Sequence, residues 1–353
     1  MKKLLGDIYR KVLDFKNNTL PIFFIASPFL AGLYYLLFSS KFRREQHSVI
    51  KGKVTHLKQL RVDKQNIYTL IRNTHRLEKG LLMRPRRAVF ARDYIGETVD
   101  AFLNIWSPHR IAQDAQYKWF YDVLNEYFET SGPDKTVDFY AKKFFDFLDG
   151  FPSLEQNLST DVKSIPYTRL QEMKPEISYD DFFRLNRYRR SVRWFLKKEV
   201  PRNLVDKAIL AANQAPSACN RQPYQYRIID DSDLLAKVAA LPGGVRGYEK
   251  GIPMMIVVVG NLDAYFDERD RHVIYIDASL ANMVFMLALE TLGLSSCSIN
   301  WPDVEHLEKG METTLNLEKH QRPIMCMAVG YPDPTGKVAF SEKRSLEHLR
   351  TYN

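Results

Sequence analysis

The stretch RYRRSVRWF, at residues 187–195, decides how this chain is interpreted. Four arginines surround Ser191 at the end of a short predicted helix. Guanidinium groups this close repel one another unless an anion lies among them, and their forked donors suit phosphate. An exposed basic helix end is the alternative. We interpret the stretch as a candidate phosphate site.

Two further stretches have the composition of a binding site. In QAPSACNRQPY, at residues 214–224, a predicted helix ends and a loop of small polar residues leads into a strand. Small residues let a backbone approach a flat ligand, and amides such as those of Asn220 and Gln222 can pair with a heterocycle edge. An ordinary helix-to-strand loop is the alternative. GLSSCSINW, at residues 293–301, follows a very apolar predicted helix and offers backbone N–H groups, and we take Cys297 in it as a packed residue rather than a nucleophile.

Together these stretches resemble the motifs of the nitroreductase family of flavoenzymes. RRSVRWF is similar to its R-x-S-x-[RK] motif, APSACNRQPY to its P-S-x-x-N-x-Q-P-[WY] motif, ALETLGLSSCSIN to its helix–glycine–strand segment, and SEKRSLEHL to its C-terminal basic motif. Order and spacing agree over about residues 180–350, half of the chain. The resemblance implies an α+β, nitroreductase-like FMN-binding fold with a central mixed sheet flanked by helices. A helical N-terminal region with a hydrophobic membrane segment precedes it, and its FRREQ and HRLEKGLLMRP stretches are similar to a longer membrane-associated subgroup often encoded with polysaccharide-biosynthesis genes.

By this resemblance, FMN lies in a homodimer interface. Arg189 and Ser191 are expected to hold its phosphate with Lys343 and Arg344, both of which are kept because the C-terminal motif is ambiguous by one residue. Arg193 is expected at the pyrimidine edge, Ser298 and Ile299 near the flavin N5, and the 216–220 loop from the partner subunit. An Asn common near the pyrimidine is not evident in LPGGVRGYEKG, where Arg246 is the nearest candidate. The predicted cofactor-binding residues are Arg189, Arg190, Ser191, Arg193, Pro216, Ser217, Ala218, Asn220, Gln222, Arg246, Ser298, Ile299, Lys343 and Arg344.

The implied activity is an FMN-dependent oxidoreductase that uses NADH or NADPH. Hydride transfer is expected to be ping-pong, with a small-molecule oxidant as second substrate and no catalytic side chain, since the flavin carries the chemistry. No metal site is expected, because the eight histidines are scattered and no paired-cysteine motif is present. Two alternatives stay open: a non-catalytic or flavin-holding membrane scaffold in polysaccharide assembly, and a reductive dehalogenase resembling iodotyrosine deiodinase.

Composition and charge exclude several other classes. The 353 residues are 45% hydrophobic and 26% charged, which excludes a disordered chain. Three cysteines fit a reducing compartment. The net charge is +9, but residues 1–100 carry 20 Lys and Arg against 8 Asp and Glu, so the rest of the chain sums to −3. We expect anionic lipid, not nucleic acid, to be the partner of this basic front.

The segment LPIFFIASPFLAGLYYLLF, at residues 20–38, is just long enough to cross a bilayer. Its basic flanks are nearly balanced, which suits a segment that enters and leaves by one face, and Pro28 lies at its centre. A kinked span, a re-entrant hairpin turning at Ser27-Pro28 and a buried hairpin of a soluble protein all remain open. We expect lipid contact through residues 19–40, at the inner or cytoplasmic membrane with the catalytic domain in the cytoplasm.

The order of patterns predicts four regions. Residues 1–45 form the basic-flanked hydrophobic segment, 46–150 a helical domain, 151–177 a linker, and 178–353 the FMN domain. Within the last, we predict a helix from Pro201 to Asn213 and another over Ile274–Leu292. The predicted strands are Tyr224–Ile229, Met254–Val259 and Ile324–Val329.

Overall fold

The computed structural model of the chain describes residues 2–107, 114–151 and 162–353. Its first helices turn back on themselves. They are α1 (Lys2–Asp14), a π-helical turn (Phe15–Thr19), α2 (Leu20–Phe24) and α3 (Pro28–Leu37). The Tyr34 hydroxyl donates to the Lys16 carbonyl at 3.1 Å, and the Phe24 and Phe38 rings lie 5.6 Å apart. The apolar run is therefore a hairpin of short helices rather than one continuous helix.

The hairpin has a local cause in the sequence. Ser27 caps α3, because its side-chain oxygen accepts the Leu30 N–H at 3.2 Å, and Pro28 occupies the first helical position. Both features start a new helix and end the preceding one. With ten residues, α3 is about 15 Å long, half of the roughly 30 Å hydrocarbon core.

The next five helices pack in two places. Helices α5 to α8 enclose an apolar core of their own that includes Leu70, Phe102, Phe120 and Phe144, whereas α4 lies along the C-terminal half. These helices are α4 (Arg43–Arg61), α5 (Ile67–Leu81), α6 (Ile95–Ile105), α7 (Ala115–Thr130) and α8 (Lys135–Leu148). The predicted boundary at residue 45 falls inside α4, and residues 152–161 of the predicted linker lie outside the described residues. The division into four regions stays a prediction.

The C-terminal half is built on a four-stranded sheet. The strands are β1 (Tyr224–Ile229), β2 (Met254–Asn261), β3 (Ser295–Asn300) and β4 (Gln321–Gly330), in the spatial order β1-β2-β4-β3. All neighbouring strands run antiparallel, and the parallel component of the sheet is an isolated bridge between Ser191 and Ser296. β2 is central because its continuous apolar sequence is buried from Met254 through Gly260.

Helices cover both faces of this sheet. They are α9 (Tyr179–Tyr188), α10 (Arg202–Ala212), α11 (Ser232–Ala239), α12 (Val273–Thr291) and α13 (Glu305–Leu315). α10 and α12 pack on one face through small residues such as Ala208 and Ala281, while α11 and α13 cover the other. The α+β fold with a helical N-terminal region is confirmed, and the predicted strands and helices of this half are confirmed within a few residues at each end.

In the described part of the chain, one helix is long and apolar enough to cross a membrane. It spans Glu268–Thr291 and contains α12, and 39% of its tested stretch is buried. Because the core helix of a soluble protein has the same length and composition, this helix is weak evidence for a span. The apolar helix at Pro28–Leu37 is shorter.

Candidate functional site

Arg189 and Ser191 lie beside strand β3. α9 ends at Tyr188 with Arg189 as its C-cap, and the extended chain that follows runs along the outer edge of β3. The Val192 N–H donates to the Ser296 carbonyl at 3.0 Å, and Ser191 pairs with Ser296 in the parallel bridge. The structure thus brings the first and third candidate stretches together.

Two polar atoms at this place are buried without a partner. Within the described residues, neither Arg189 Nε nor Ser296 Oγ has a hydrogen-bond partner. Buried donors in native proteins are nearly always satisfied, so unpaired ones at a candidate site indicate a ligand. An anion with several acceptor oxygens fits a guanidinium and a hydroxyl. The donor set is the one that a phosphate requires.

A carboxylate borders this donor set. Burial raises the pKa of Glu290, and the charge of Arg189 opposes that shift. The Ser295 hydroxyl donates to Glu290 Oε2 at 3.1 Å. Arg190 lines a groove of about 300 Å³ together with Glu290, Ser295 and Trp194. This groove therefore adjoins the Arg189 site.

Arg193 lies two residues beyond Ser191 in the same extended segment. Its side chain is exposed and borders Tyr248, whose hydroxyl is 3.7 Å from Cys297 Sγ. Burial raises the pKa of Tyr248, and Arg193 opposes that rise. Cys297 packs in the core, as the sequence predicted. Arg193 is free to meet the edge of a ligand at the surface.

The loop of the second candidate stretch has a strained backbone. Cys219, Asn220 and Gln222 have φ values of 54°, 56° and 50°, a region that side-chain-bearing residues rarely adopt. The Gln222 amide nitrogen donates to Asn220 Oδ1 at 3.1 Å. Pro216 and Ala218 are exposed. Such strain persists only where other contacts fix the loop, and it concentrates at functional sites.

Asp277 of α12 fixes this loop. Its Oδ2 accepts from the Ser217 hydroxyl at 2.8 Å and from the Ala218 N–H at 3.0 Å, and the Ser217 oxygen accepts the Gln222 N–H at 2.7 Å. Asp277 is 3% exposed, and burial raises its pKa. Sequence reasoning missed this residue. The signal was present, since a single carboxylate lies in the apolar helix VIYIDASLANM.

Other predicted residues are placed less closely together. Ser298 faces α12, where its hydroxyl lies 2.9 Å from Met286 Sδ, whereas the Ile299 side chain is buried in the core beside Gly244. Arg246 is exposed in the loop before Gly247. Lys343 and Arg344 are in an exposed C-terminal segment, residues 337–353. The structure does not bring these two cations to Arg189 within one chain.

The two halves of the candidate site lie at opposite ends of α12. The loop is fixed to Asp277 near the N-terminal end, and Arg189 borders Glu290 near the C-terminal end. At 1.5 Å per residue the two positions are separated by about 20 Å along the helix. An apolar groove of about 950 Å³ runs between them, lined by Phe182, Leu185, Pro216, Ile276, Leu280 and Met283.

Comparisons with known proteins give one matching family model and several distant relatives. Residues 187–243 and 250–331 match the model of the Nitroreductase family. An NADH dehydrogenase/NAD(P)H nitroreductase homologue of Methanothermobacter thermautotrophicus is 28% identical over 161 residues, which cover 44% of this chain and 80% of that protein. Iodotyrosine deiodinase 1 of Mus musculus is 21% identical over 226 residues, covering 55% and 78%.

Solved structures include a similar protein. The FMN-dependent nitroreductase of Clostridium difficile is 23% identical, with a TM-score of 0.41, and the match covers 48% of this chain and 98% of that one.

Proposed function

We propose, from the premise that residues 187–331 form a nitroreductase-family domain, that the protein is an FMN-dependent NAD(P)H oxidoreductase. The observation that carries the proposal is the unpaired, buried Nε of Arg189 beside Ser191 and Ser296. A guanidinium with open donors at the place where the family motif lies fits the phosphate of FMN.

The proposal assigns a group of residues to each part of the cofactor. Arg189 and Ser191 would hold the phosphate, with Lys343 and Arg344 supplied by the exposed C-terminal segment. Arg193 would meet the pyrimidine edge, where its fixed positive charge stabilises negative charge and favours reduction. The strained 216–222 loop would cover the ring system. Glycine is not needed in this loop, since Ser217 and Ala218 are small enough to lie against the ring system.

The proposed site is shared by two subunits. In the proposed arrangement, the phosphate site and the ring-binding loop of one chain, about 20 Å apart along α12, serve two different FMN molecules. A second copy, packed through the apolar groove along α12, brings the loop of one chain to the Arg189 end of the other. Ile276 and Leu280, which are 57% and 44% exposed, would be buried by this contact. Exposed apolar surface of this kind is typical of an interface between copies.

The proposed reaction requires binding and orientation from the protein. Bound FMN would supply two-electron hydride chemistry between NADH or NADPH and an oxidised substrate that occupies the same position in turn, a ping-pong sequence. No side chain of the described site is assigned to acid–base catalysis. Arg193 orients the ring edge, and the loop held by Asp277 excludes water from one face. The substrate of the second half-reaction is a small-molecule oxidant.

The absorbance spectrum of the purified protein tests the proposal. We expect flavin bands that bleach when NADH or NADPH is added without oxygen. The variant Arg189→Ala with Arg193→Ala is expected to lose most of its flavin, whereas Arg202→Ala, an exposed arginine paired with Asp230, is the control and keeps it. Flavin retained by the double variant would contradict the assignment of the site. A colourless wild-type protein that rejects added FMN would favour a membrane scaffold instead.

The relatives named iodotyrosine deiodinase suggest which oxidants to test first. One of them, from Thermotoga neapolitana, is 27% identical over 173 residues, covering 42% of this chain and 87% of that protein. The reduced protein should therefore be offered a halogenated tyrosine beside a nitroaromatic compound and a quinone. Reoxidation by the halogenated tyrosine with release of halide would support the reductive dehalogenase alternative.

We propose that the front of the chain is held in one leaflet of the cytoplasmic membrane. The α1–α3 hairpin exposes large apolar side chains, among them Phe23, Ile25 and Phe29 at 66%, 81% and 74%. Lys16 and Lys41 flank its open end, where anionic headgroups would attract them. Carbonate extraction of membranes tests the attachment, and we expect the full-length protein to stay in the pellet. Release of the full-length chain would contradict an integral hairpin.

A further inference from the structure

Three guanidinium groups converge next to the proposed ring-binding loop. Arg72 and Arg76 are four residues apart on one face of α5, which packs against the turn at Ala218–Asn220. Arg221 follows that turn. Arg72 Cζ lies 5.1 Å from the Phe266 ring centroid, and Arg221 Cζ lies 4.8 Å from that of Tyr265, the preceding residue. Burial lowers the pKa of Arg72, and the neighbouring charges of Arg76 and Arg221 lower it further.

These cations are only weakly paired. Arg221 is 6% exposed, its Nε has no partner in the described part of the chain, and its nearest carboxylate oxygen, on Asp270, is 3.5 Å away. Arg76 lies over the Tyr94 ring and donates to Asn73 Oδ1 at 3.3 Å, but its nearest carboxylate, the exposed Asp93, is 3.7 Å away. Within the described ranges, Arg72 has no carboxylate at ion-pair distance. Such separations are at or beyond the limit of a hydrogen bond.

Arg44 of the same chain, in contrast, is fully paired with a carboxylate. Arg44 donates to both carboxylate oxygens of Glu305 at 2.8 and 2.6 Å. Near the cluster, the Glu97 carboxylate accepts from the Asn73 amide at 3.0 Å and is connected to Arg76 only through Asn73. The cluster therefore retains donors for an anion that is not part of this chain.

We propose that Arg72, Arg76 and Arg221 form a specificity site for the negatively charged group of the molecule that reacts over the flavin. This proposal rests on the proposed oxidoreductase function, because the loop that carries Arg221 would cover the flavin of the partner subunit. The ligand group is a carboxylate or a phosphate. It belongs either to the oxidised substrate or to the phosphates of the nucleotide donor. Residues 46–150, outside the family match, would thus supply substrate selection.

Steady-state kinetics on the holoprotein test the proposal. The oxidants are 4-nitrobenzoate and its neutral analogue 4-nitrobenzyl alcohol, and the donors are NADPH and NADH. For Arg72→Gln with Arg76→Gln, we expect kcat/KM for 4-nitrobenzoate to fall about tenfold or more, with 4-nitrobenzyl alcohol nearly unchanged, because charge-assisted hydrogen bonds are lost. Arg269→Gln is the control, since Arg269 also lies over the Phe266 ring, at 5.6 Å, on the outer surface.

Each other outcome has a defined meaning. A fall confined to NADPH relative to NADH supports the site and identifies the nucleotide phosphate as its ligand. Unchanged ratios for both pairs, or loss of FMN from the double variant, would overturn the proposal. Calorimetric titration of the purified protein with 4-nitrobenzoate and with inorganic pyrophosphate separates it from the proposed function. If the wild type holds no FMN but binds either anion and the double variant does not, the anion site stands while the oxidoreductase function fails.

Discussion

At the scale of single residues, some groups of the candidate site were predicted from the sequence and one was not. Arg189 and Ser191 were predicted together because their spacing matches a motif, and the structure places both beside Ser296. Asp277 was missed because it belongs to no motif and lies 60 positions from its partner Ser217. Long-range hydrogen bonds of this kind depend on the tertiary packing of α12 and cannot be read from local patterns.

Removal of the Asp277 carboxylate is expected to release the loop. In Asp277→Ala, the Ser217 hydroxyl and the Ala218 N–H lose their acceptor in a buried place, which costs about 1–3 kcal/mol of unfolding free energy. The strained residues Cys219 and Asn220 then relax, and flavin content should fall. Urea unfolding and the flavin-to-protein absorbance ratio measure the two effects.

Asp277→Asn is the matched control, because both hydrogen bonds end on Oδ2, which an amide oxygen can replace, whereas the negative charge is lost. We expect it to lie between the wild type and the alanine variant in both measurements. An alanine variant with wild-type stability and wild-type flavin content would show that Asp277 does not hold the loop.

At the scale of elements, α4 fastens the front helices to the sheet domain. Arg44 is paired with Glu305 and Glu312 at one end, Lys53 lies 2.9 Å from Glu268, and Gly52 lies directly against Leu262. A Cβ at Gly52 would come within 2.7 Å of Leu262 backbone atoms. The close approach of the two elements therefore requires glycine at this position.

Gly52→Ala is expected to destabilise the protein by about 1–3 kcal/mol, because the helix must move away from Leu262. This effect opposes the gain of about 1 kcal/mol that alanine normally gives inside a helix. Gly6→Ala in α1 is the control, since nothing lies within 4 Å of its added methyl group. Urea unfolding midpoints of the two variants should move in opposite directions. Equal stabilisation by both would contradict the close packing of α4.

His56 makes the same attachment sensitive to pH. Its Nδ1–H donates to the Asp263 carbonyl at 2.8 Å, and burial lowers its pKa. Since the folded pKa lies below the unfolded value of about 6.5, the stabilisation is complete above that pH and is lost as pH falls through the folded pKa. The unfolding free energy should therefore drop more steeply between pH 7 and 5 in the wild type than in His56→Gln. Parallel pH profiles would exclude His56 as the cause.

The elements themselves were predicted unevenly. The apolar runs of β2 and α12 predicted their structures well, because burial on both sides leaves little choice of conformation. The run at residues 20–38 was equally apolar but left several structures open. Its outcome depended on Ser27 and Pro28, whose capping effect competes with the drive toward one long helix. How α4 and α5 pack on the sheet domain was not predictable, since it depends on single contacts such as that of Gly52.

At the scale of the whole molecule, the two halves of the candidate site are separated along α12. This separation determines which variants lose flavin binding. In the proposed dimer, every site takes Arg189 and Arg193 from one chain and the loop held by Asp277 from the other. A dimer of Arg189→Ala/Arg193→Ala chains has two defective sites, and so does a dimer of Asp277→Ala chains. A mixed dimer has one site with both defects and one site with none.

The two variants should therefore complement each other in part. Co-expression of the two variants in equal amounts should restore flavin to about one quarter of all sites, because half of the dimers are mixed and each regains one site. Purification through two different affinity tags, one on each variant, isolates the mixed dimers, in which about half of the sites should hold flavin. Restored flavin would show intragenic complementation. A cell that carries both variant alleles would then keep part of the flavin-bound protein that neither allele gives alone.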